Sequence, residues 1–337
     1  MQDLTKNYAI AIHGGAGTLV KGMMTPELEK QYKSALKEAL DTGYELLKEG
    51  ASAVDAVEEA VKQLEDSHLF NAGKGSVFTA EGTHEMDAAI MDGKTLNAGA
   101  VSLITGIKNP VALARDVMEK SEHVFLAGEG AMQFAKELNY ELEEATYFYD
   151  EFRHQQWLEI RDTDSFQLDH SKSVTEPFNE VYIERSRNAQ DKRAPSQKDS
   201  KFGTVGAVAC DKNGHVAAAT STGGMTNKKW GRVGDSPMIG AGNYANNKTC
   251  AVSCTGSGEY FIRGVVAYDV AMLMEHKDMG VQDASDEVIH KRILEINGDG
   301  GLIAVDKNGT IAMPFNTEGM YRASKSSNGQ EEISIYK

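Results

Sequence analysis

Apolar residues along the first 140 positions switch repeatedly between two spacings, and each switch predicts an element. Tyr8 to His13 reads as a buried strand, and His13-Gly14-Gly15-Ala16-Gly17 after it as a turn with no room for side chains. From Thr25 to Lys48 the residues Leu28, Tyr32, Leu36, Leu40 and Leu47 lie on one helical face. Ser52 reads as the cap of a second helix, which carries Val54, Val57, Val61 and Leu64. Strand spacing returns over Glu85–Ile90 and Ala98–Ile104. Asn109-Pro110 then opens a helix, with Asn as cap and Pro in the first turn. A strand near His123–Ala127 and a helix from Glu129 to Leu138 follow.

The pattern fails after Tyr140. The chain stays polar and charged to Lys201, and about residues 184–203 it has too few apolar side chains to bury, so it reads as an exposed linker. An abrupt apolar strand follows, Gly203 to Cys210, which Asp211-Lys212-Asn213-Gly214 turns back into His215–Thr222. A second DKNG turn, at 306–309, joins Leu302–Val305 to Thr310–Met313. Between these hairpins come a strand at Thr249–Cys254 and helices over Glu259–Met274 and Val281–Leu294. The expected fold is two sheets between helix layers, an α/β/β/α sandwich. Residues 1–203 and 204–337 are expected to form one domain.

Composition narrows the partners. A hydrophobic share of 41% and a charged share of 25% are ordinary for a globular chain, and no apolar run approaches a membrane span. The net charge of −15 disfavours nucleic acid and anionic membrane as partners. Met1 to Tyr8 lacks the apolar core of a signal peptide. Cys210, Cys250 and Cys254 are odd in number and lie in strand-like runs, which suits buried thiols in a reducing, cytoplasmic setting.

The chain has no Walker GxxxxGK[ST], HExxH or GxSxG signature and no zinc spacing, so no catalytic cofactor is expected. Chemistry is left to segments of small and hydroxyl-bearing residues at strand ends: Gly203-Thr204-Val205-Gly206, the run Thr220 to Asn227, Gly231 to Pro237, and Ser253 to Glu259. Singly these are good strand formers. Together, each ending at a glycine, they describe places where backbone amides can approach a ligand.

These segments, in this order, resemble the plant-type asparaginases or isoaspartyl aminopeptidases among the N-terminal nucleophile hydrolases. The likeness runs from HGGAG at 13–17 through FNAGKGSVF at 70–78 and HEMDAAIMDG at 84–93 to PFNTEGMYR at 314–322. It implies that Thr204, freed by cleavage after Gly203, is the nucleophile. A free hydroxyl needs a base, and the threonine's own α-amine, with a reference pKa near 8, would serve. By the same resemblance Thr222 orients Thr204, and Thr255 with the Gly256 amide forms an oxyanion hole. Arg232 would clamp the substrate α-carboxylate, Asp235 and the Gly258 carbonyl region would receive its α-ammonium, and Asn71 would position the scissile linkage. Outside this context Arg232 and Asp235 read as an ion pair across a turn. His13 is read as support for its glycine turn.

The loop from Leu64 to Lys74 resembles a sodium site built from the carbonyls of Leu64, Glu65, Ser67, Phe70, Ala72 and Lys74, with Ser67 and Lys74 departing from more apolar residues. The resemblance further implies a dimer of cleaved heterodimers, (αβ)2, and small β-aspartyl amides or dipeptides as substrates. Two other readings stay open: a glycosylasparaginase with the same chemistry, and an inactive scaffold of the same fold.

Overall fold

Twelve strands form two stacked sheets in a computed structural model that describes residues 7–162 and 203–337. The expected linker lies outside these residues, save for Gly203. In chain order the strands are β1 (Ala9–Gly17), β2 (Met86–Asp92), β3 (Ala98–Ile104), β4 (Phe125–Ala127), β5 (Val205–Cys210), β6 (Val216–Thr222), β7 (Asn243–Ala245), β8 (Cys250–Gly256), β9 (Gly300–Asp306), β10 (Ile311–Ala312), β11 (Gly319–Ser326) and β12 (Glu331–Tyr336). The larger sheet runs β12-β11-β1-β5-β6-β2-β3-β4 and the smaller β10-β9-β8-β7.

Three apolar layers explain the stacking. Helices α1 (Pro26–Glu49), α2 (Ala53–Glu65) and α3 (Pro110–Lys120) bury Leu36, Leu40, Val57 and Val61 against the outer face of the larger sheet. Val208, Val216, Ile303 and Val305 fill the space between the sheets. Helices at Val266–Lys277 and Val281–Glu287 cover the outer face of the smaller sheet, packing Val270 and Ala284 in one cluster with Cys254 of β8. The four-layer α/β/β/α sandwich is therefore the fold. Strands on both sides of Gly203 interleave in it: β1 pairs with β5, and β2 with β6.

Local signals placed most helix starts. Thr25 accepts from Leu28 N at α1, and Ser52 with Asp55 forms a reciprocal capping box at α2. Asn109 occupies the cap position of α3, but its side chain does no capping. Its amide donates to Asp66 Oδ1 at 3.1 Å, while the buried Glu65 carboxylate accepts from Val111 N at 3.0 Å.

Four other expectations change. His13–Gly17 is the second half of β1, bulged between His13 and Gly15, with Gly15 opposite Tyr321. The small residues are still required there, because a Cβ on Gly14 would run into the Phe70 ring. The helix expected over Glu259–Met274 is two, Gly258–Gly264 and Val266–Lys277, broken at Val265 with φ +48. The polar region after Tyr140 contains a helix, Glu151–Ile160, whose Trp157 stacks on Phe78. Strands β7, β11 and β12 were not anticipated.

Candidate active site

Thr204 stands at the head of β5, where the larger sheet ends over the smaller. The register Val205↔Ser221 sets it opposite Thr222, the last residue of β6. Its hydroxyl lies 3.3 Å from Thr222 Oγ1 and 3.3 Å from Ser236 Oγ, and the residue is 9% exposed. Thr222 Oγ1 also accepts from Gly224 N at 3.0 Å, which anchors its hydroxyl beside Thr204.

The carbonyl of Thr204 is held by His13, whose Nδ1 lies 3.0 Å away. A carbonyl only accepts, so Nδ1 carries the proton and Nε2 accepts from Ser253 Oγ at 2.9 Å. Ser253 in turn lies 2.7 Å from Thr220 Oγ1, so a buried polar chain ties β1 of one sheet to β8 of the other. Gly206 is the residue that leaves room for it, since a Cβ there would collide with Ser253 Oγ and His13 Nε2. His13 thus holds the Thr204 carbonyl and lies in the bulged strand β1, not in a glycine turn.

Thr255 and Gly256 end β8 beside Thr204. Thr255 Oγ1 accepts from Ala16 N at 3.3 Å. Gly256 pairs with Gly300 so closely that a Cβ on Gly256 would sit 2.7 Å from Gly300 Cα. Asn316 fixes this crossing, its Oδ1 accepting from Gly300 N at 2.9 Å.

Arg232 and Asp235 line the same cleft, but they are not the ion pair that a bare turn would suggest. Arg232 makes a two-pronged pair with Glu259, Nε to Oε1 at 2.9 Å and Nη2 to Oε2 at 3.0 Å. Burial alone would raise the Glu259 carboxyl; Arg232 outweighs that and holds it below the usual range. Asp235 is 3% exposed, and its Oδ2 has no hydrogen-bond partner among the described residues. Burial, partly offset by Arg232, pushes its pKa up to about 7. A buried acceptor left open in this way suits an incoming ammonium group. Gly258 packs behind both, where a Cβ would lie 2.9 Å from Asp235 Oδ1 and 3.0 Å from Arg232 Nη2.

A pH dependence follows for any ligand that brings an ammonium group to Asp235, with L-aspartate as the probe. Below about pH 7 the empty site holds Asp235 protonated, whereas an ammonium ligand requires it ionised. The affinity for this probe is expected to fall by about tenfold per pH unit once pH is well below 7. In Asp235→Asn it should be weaker and flat over that range. Parallel losses in the two proteins, by calorimetric titration, would assign the proton elsewhere.

The remaining expected residues lie one layer back. Asn71 is not in the cleft wall: its Nδ2 donates to Gly224 O at 2.7 Å, its Oδ1 accepts from Val77 N at 3.1 Å, and its carbonyl accepts from Gly223 N at 3.0 Å. It therefore braces the turn after Thr222. The loop from Leu64 to Lys74 packs behind it, with Phe70 against Tyr32 and Tyr321. Its glycines face carbonyl oxygens: a Cβ on Gly73 would strike Glu65 O, and one on Gly75 would strike Phe70 O and lie 2.8 Å from His68 O. Lys74 Nζ sits over the Tyr147 ring, 5.3 Å from its centroid.

Sequence reasoning assigned no role to Ser236, Thr317 or Asp299, which line the cleft. Ser236 could have been suspected from its place beside Asp235 in GRVGDSP; Asp299 carries no such signal. The cleft, with Gly203 in its lining, encloses about 40 Å³, room for a few water molecules and not for an amino acid.

Fold and site together define a hydrolase of the N-terminal nucleophile architecture. The family model described as Asparaginase matches residues 6–335, and the chain belongs to that family. It is 49% identical over 314 residues to an isoaspartyl peptidase of Salmonella typhimurium, covering 93% of this chain and 94% of that protein. A putative isoaspartyl peptidase/L-asparaginase of Dictyostelium discoideum is 46% identical over 348 residues, covering 99% and 100%. A plant-type L-asparaginase of Pyrococcus furiosus is 44% identical over 315 residues, covering 93% and 94%. Among the described residues no helix is long and apolar enough to cross a membrane.

Proposed function

We propose that the chain is an autoproteolytically matured amidohydrolase that releases L-aspartate from β-aspartyl dipeptides and L-asparagine. The observation that carries this is Thr204, its hydroxyl among those of Thr222 and Ser236, in one cleft with Arg232 and with Asp235, whose Oδ2 has no partner among the described residues. The names of the relatives agree with it.

In maturation Thr204 Oγ1 attacks the Gly203 carbonyl carbon. The C–N bond breaks, and the hydroxyl proton ends on the released α-amine. Water then hydrolyses the resulting ester, leaving a carboxylate on Gly203 and the hydroxyl on Thr204. In turnover that amine takes the Oγ1 proton as the oxygen attacks the substrate β-carbonyl. Thr255 and the Gly256 amide stabilise the oxyanion, and the proton passes to the leaving amine. Water then releases aspartate from the acyl-enzyme. Departure of the Gly203 end is what makes room for an aspartyl group.

As the resemblance implies, the Leu64–Lys74 loop would hold Na+ in a structural role through its backbone carbonyls, with the Lys74 ammonium turned away onto Tyr147. Because β1 and β5 share a sheet, the two pieces stay associated after cleavage, and exposed Trp230 and Tyr268 offer apolar surface for a second αβ unit, giving (αβ)2. A 36.6 kDa species in light scattering would refute the assembly, and a melting temperature indifferent to Na+ against choline would refute the ion.

The substrate test compares kcat/KM on matured protein for β-aspartyl-leucine, L-asparagine, L-glutamine and N-acetylglucosaminyl-asparagine. The dipeptide should match or exceed asparagine, since its extra residue offers binding energy for the transition state. Glutamine should be poor, because one methylene moves its carbonyl off Thr255 and Gly256. A clear win for the sugar amide transfers the protein to the glycosylasparaginase branch. No turnover of any of the four, with Thr204 free, leaves an inactive scaffold.

A further inference from the structure

The cleft has a buried end and an open end. Asp235 is 3% exposed, Thr255 is fully buried and the Arg232 side chain is 17% exposed. Of the described residues that line the cleft, Asp299 alone is exposed. It is also held in place. Its carbonyl accepts from Ser257 N at 3.0 Å, its Oδ1 accepts from the Ser257 hydroxyl, and the following Gly300 is pinned by Asn316. A fixed carboxylate therefore stands at the mouth.

On the reading above, the aspartyl head occupies the buried end and its β-carbonyl carbon meets Thr204. The amine that leaves must then point toward solvent, past Asp299. The one cationic side chain among the described lining residues, Arg232, is already paired with Glu259, so it does not cancel the charge at the mouth. Glu318, exposed and next in the chain to the lining residue Thr317, has the same sign.

We propose that Asp299 sets the leaving-group preference, favouring β-aspartyl substrates whose departing amino acid carries a cationic side chain. This rests on the amidohydrolase reading of the site. The attraction acts through partly solvated space, so it is modest and screened by salt.

The test compares kcat/KM for β-aspartyl-lysine and β-aspartyl-glutamate in the wild-type protein and in Asp299→Asn, at low and high ionic strength. Both substrates carry the same α-carboxylate on the leaving residue, so its repulsion cancels in the ratio. Asparagine keeps an oxygen for the Ser257 hydroxyl, which separates the charge from the bracing contact. The wild-type lysine-to-glutamate ratio should be about tenfold at low salt and shrink as salt rises. In Asp299→Asn it should fall to near unity. An unchanged ratio in the variant, whatever happens to the absolute rates, overturns the proposal and leaves Asp299 as a brace for Ser257. Failure of the wild-type protein to cleave either dipeptide overturns its β-aspartyl dipeptidase reading and this proposal with it, and if L-asparagine is not cleaved either, the amidohydrolase reading falls as well.

Discussion

Thr204→Ala is expected to remain a single 337-residue chain under denaturing conditions, while the parent protein separates into residues 1–203 and 204–337. Alanine removes the oxygen that attacks Gly203, and no nearby hydroxyl can replace it in place. Thr222 Oγ1 and Ser236 Oγ are each a further 3.3 Å from the Thr204 oxygen, and they sit on other strands and loops. Amidase activity should fall by about 10⁴-fold or more, because both the nucleophile and the amine that activates it are lost. Thr204→Ser keeps the oxygen but drops the methyl group that helps fix its rotamer, so cleavage should persist and slow. Cleavage of Thr204→Ala at the same bond would falsify the assignment of the nucleophile.

The next largest effect is expected at Arg232→Lys. Arg232 already meets a carboxylate through two parallel contacts, to Glu259 at 2.9 and 3.0 Å, so the guanidinium is oriented for two-pronged recognition. A substrate α-carboxylate would exchange with or join Glu259 on that fork. Lysine keeps the charge but has one nitrogen, so it cannot hold both oxygens in plane. The loss should be roughly 2–3 kcal/mol, at the low end for a buried charge contact, or about 30- to 150-fold in kcat/KM for β-aspartyl substrates. Autocleavage should proceed largely as before, since its scissile bond involves Gly203 and Thr204 and needs no free α-carboxylate. Unchanged steady-state kinetics would reduce Arg232 to a structural partner of Glu259. A block in cleavage would point instead to collapse of the 231–237 loop.

Much of the larger sheet was legible because its strands bury both faces and so read as continuous apolar runs: Ala9–Ile12, Val205–Cys210 and Val216–Ala219 are all fully buried. Helices α1 and α2 declared their starts through Thr25 and Ser52. What escaped notice had local chemistry of the opposite kind. β12 is largely exposed along Glu331–Ile333, and β11 carries Arg322 and Lys325, so neither looks apolar; β11 gains its place by pairing with β1 and β12 by pairing with β11. The Glu151–Ile160 helix has no apolar stripe to announce it and gains its place from Trp157 stacking on Phe78 and Asn227 bonding the Ile160 carbonyl.

The site divides in the same way. Glycines and hydroxyls at strand ends can be seen one residue at a time, because residue type is local: glycine lets a backbone approach closely, and a hydroxyl can serve as a nucleophile once a base activates it. Thr204, Thr222, Thr255 and Gly256 stood out in the chain as hydroxyls and glycines at strand ends, whereas the roles expected of them, and of Arg232 and Asp235, came from the family resemblance. Which side chain answers which was not legible in the chain. Glu259 lies 27 residues from Arg232, and Ser253 lies 240 residues from His13; no spacing rule links such pairs. His13 looked like part of a turn until β11 and β5 flanked it and set its ring against the Thr204 carbonyl. Asp299 looked like a loop residue until the Gly256–Gly300 crossing brought it to the mouth of the cleft. Chemical identity is a property of each residue and is written in order along the chain. Pairing, exposure and charge state depend on which surfaces the two sheets bury against each other, and only the packed structure decides that.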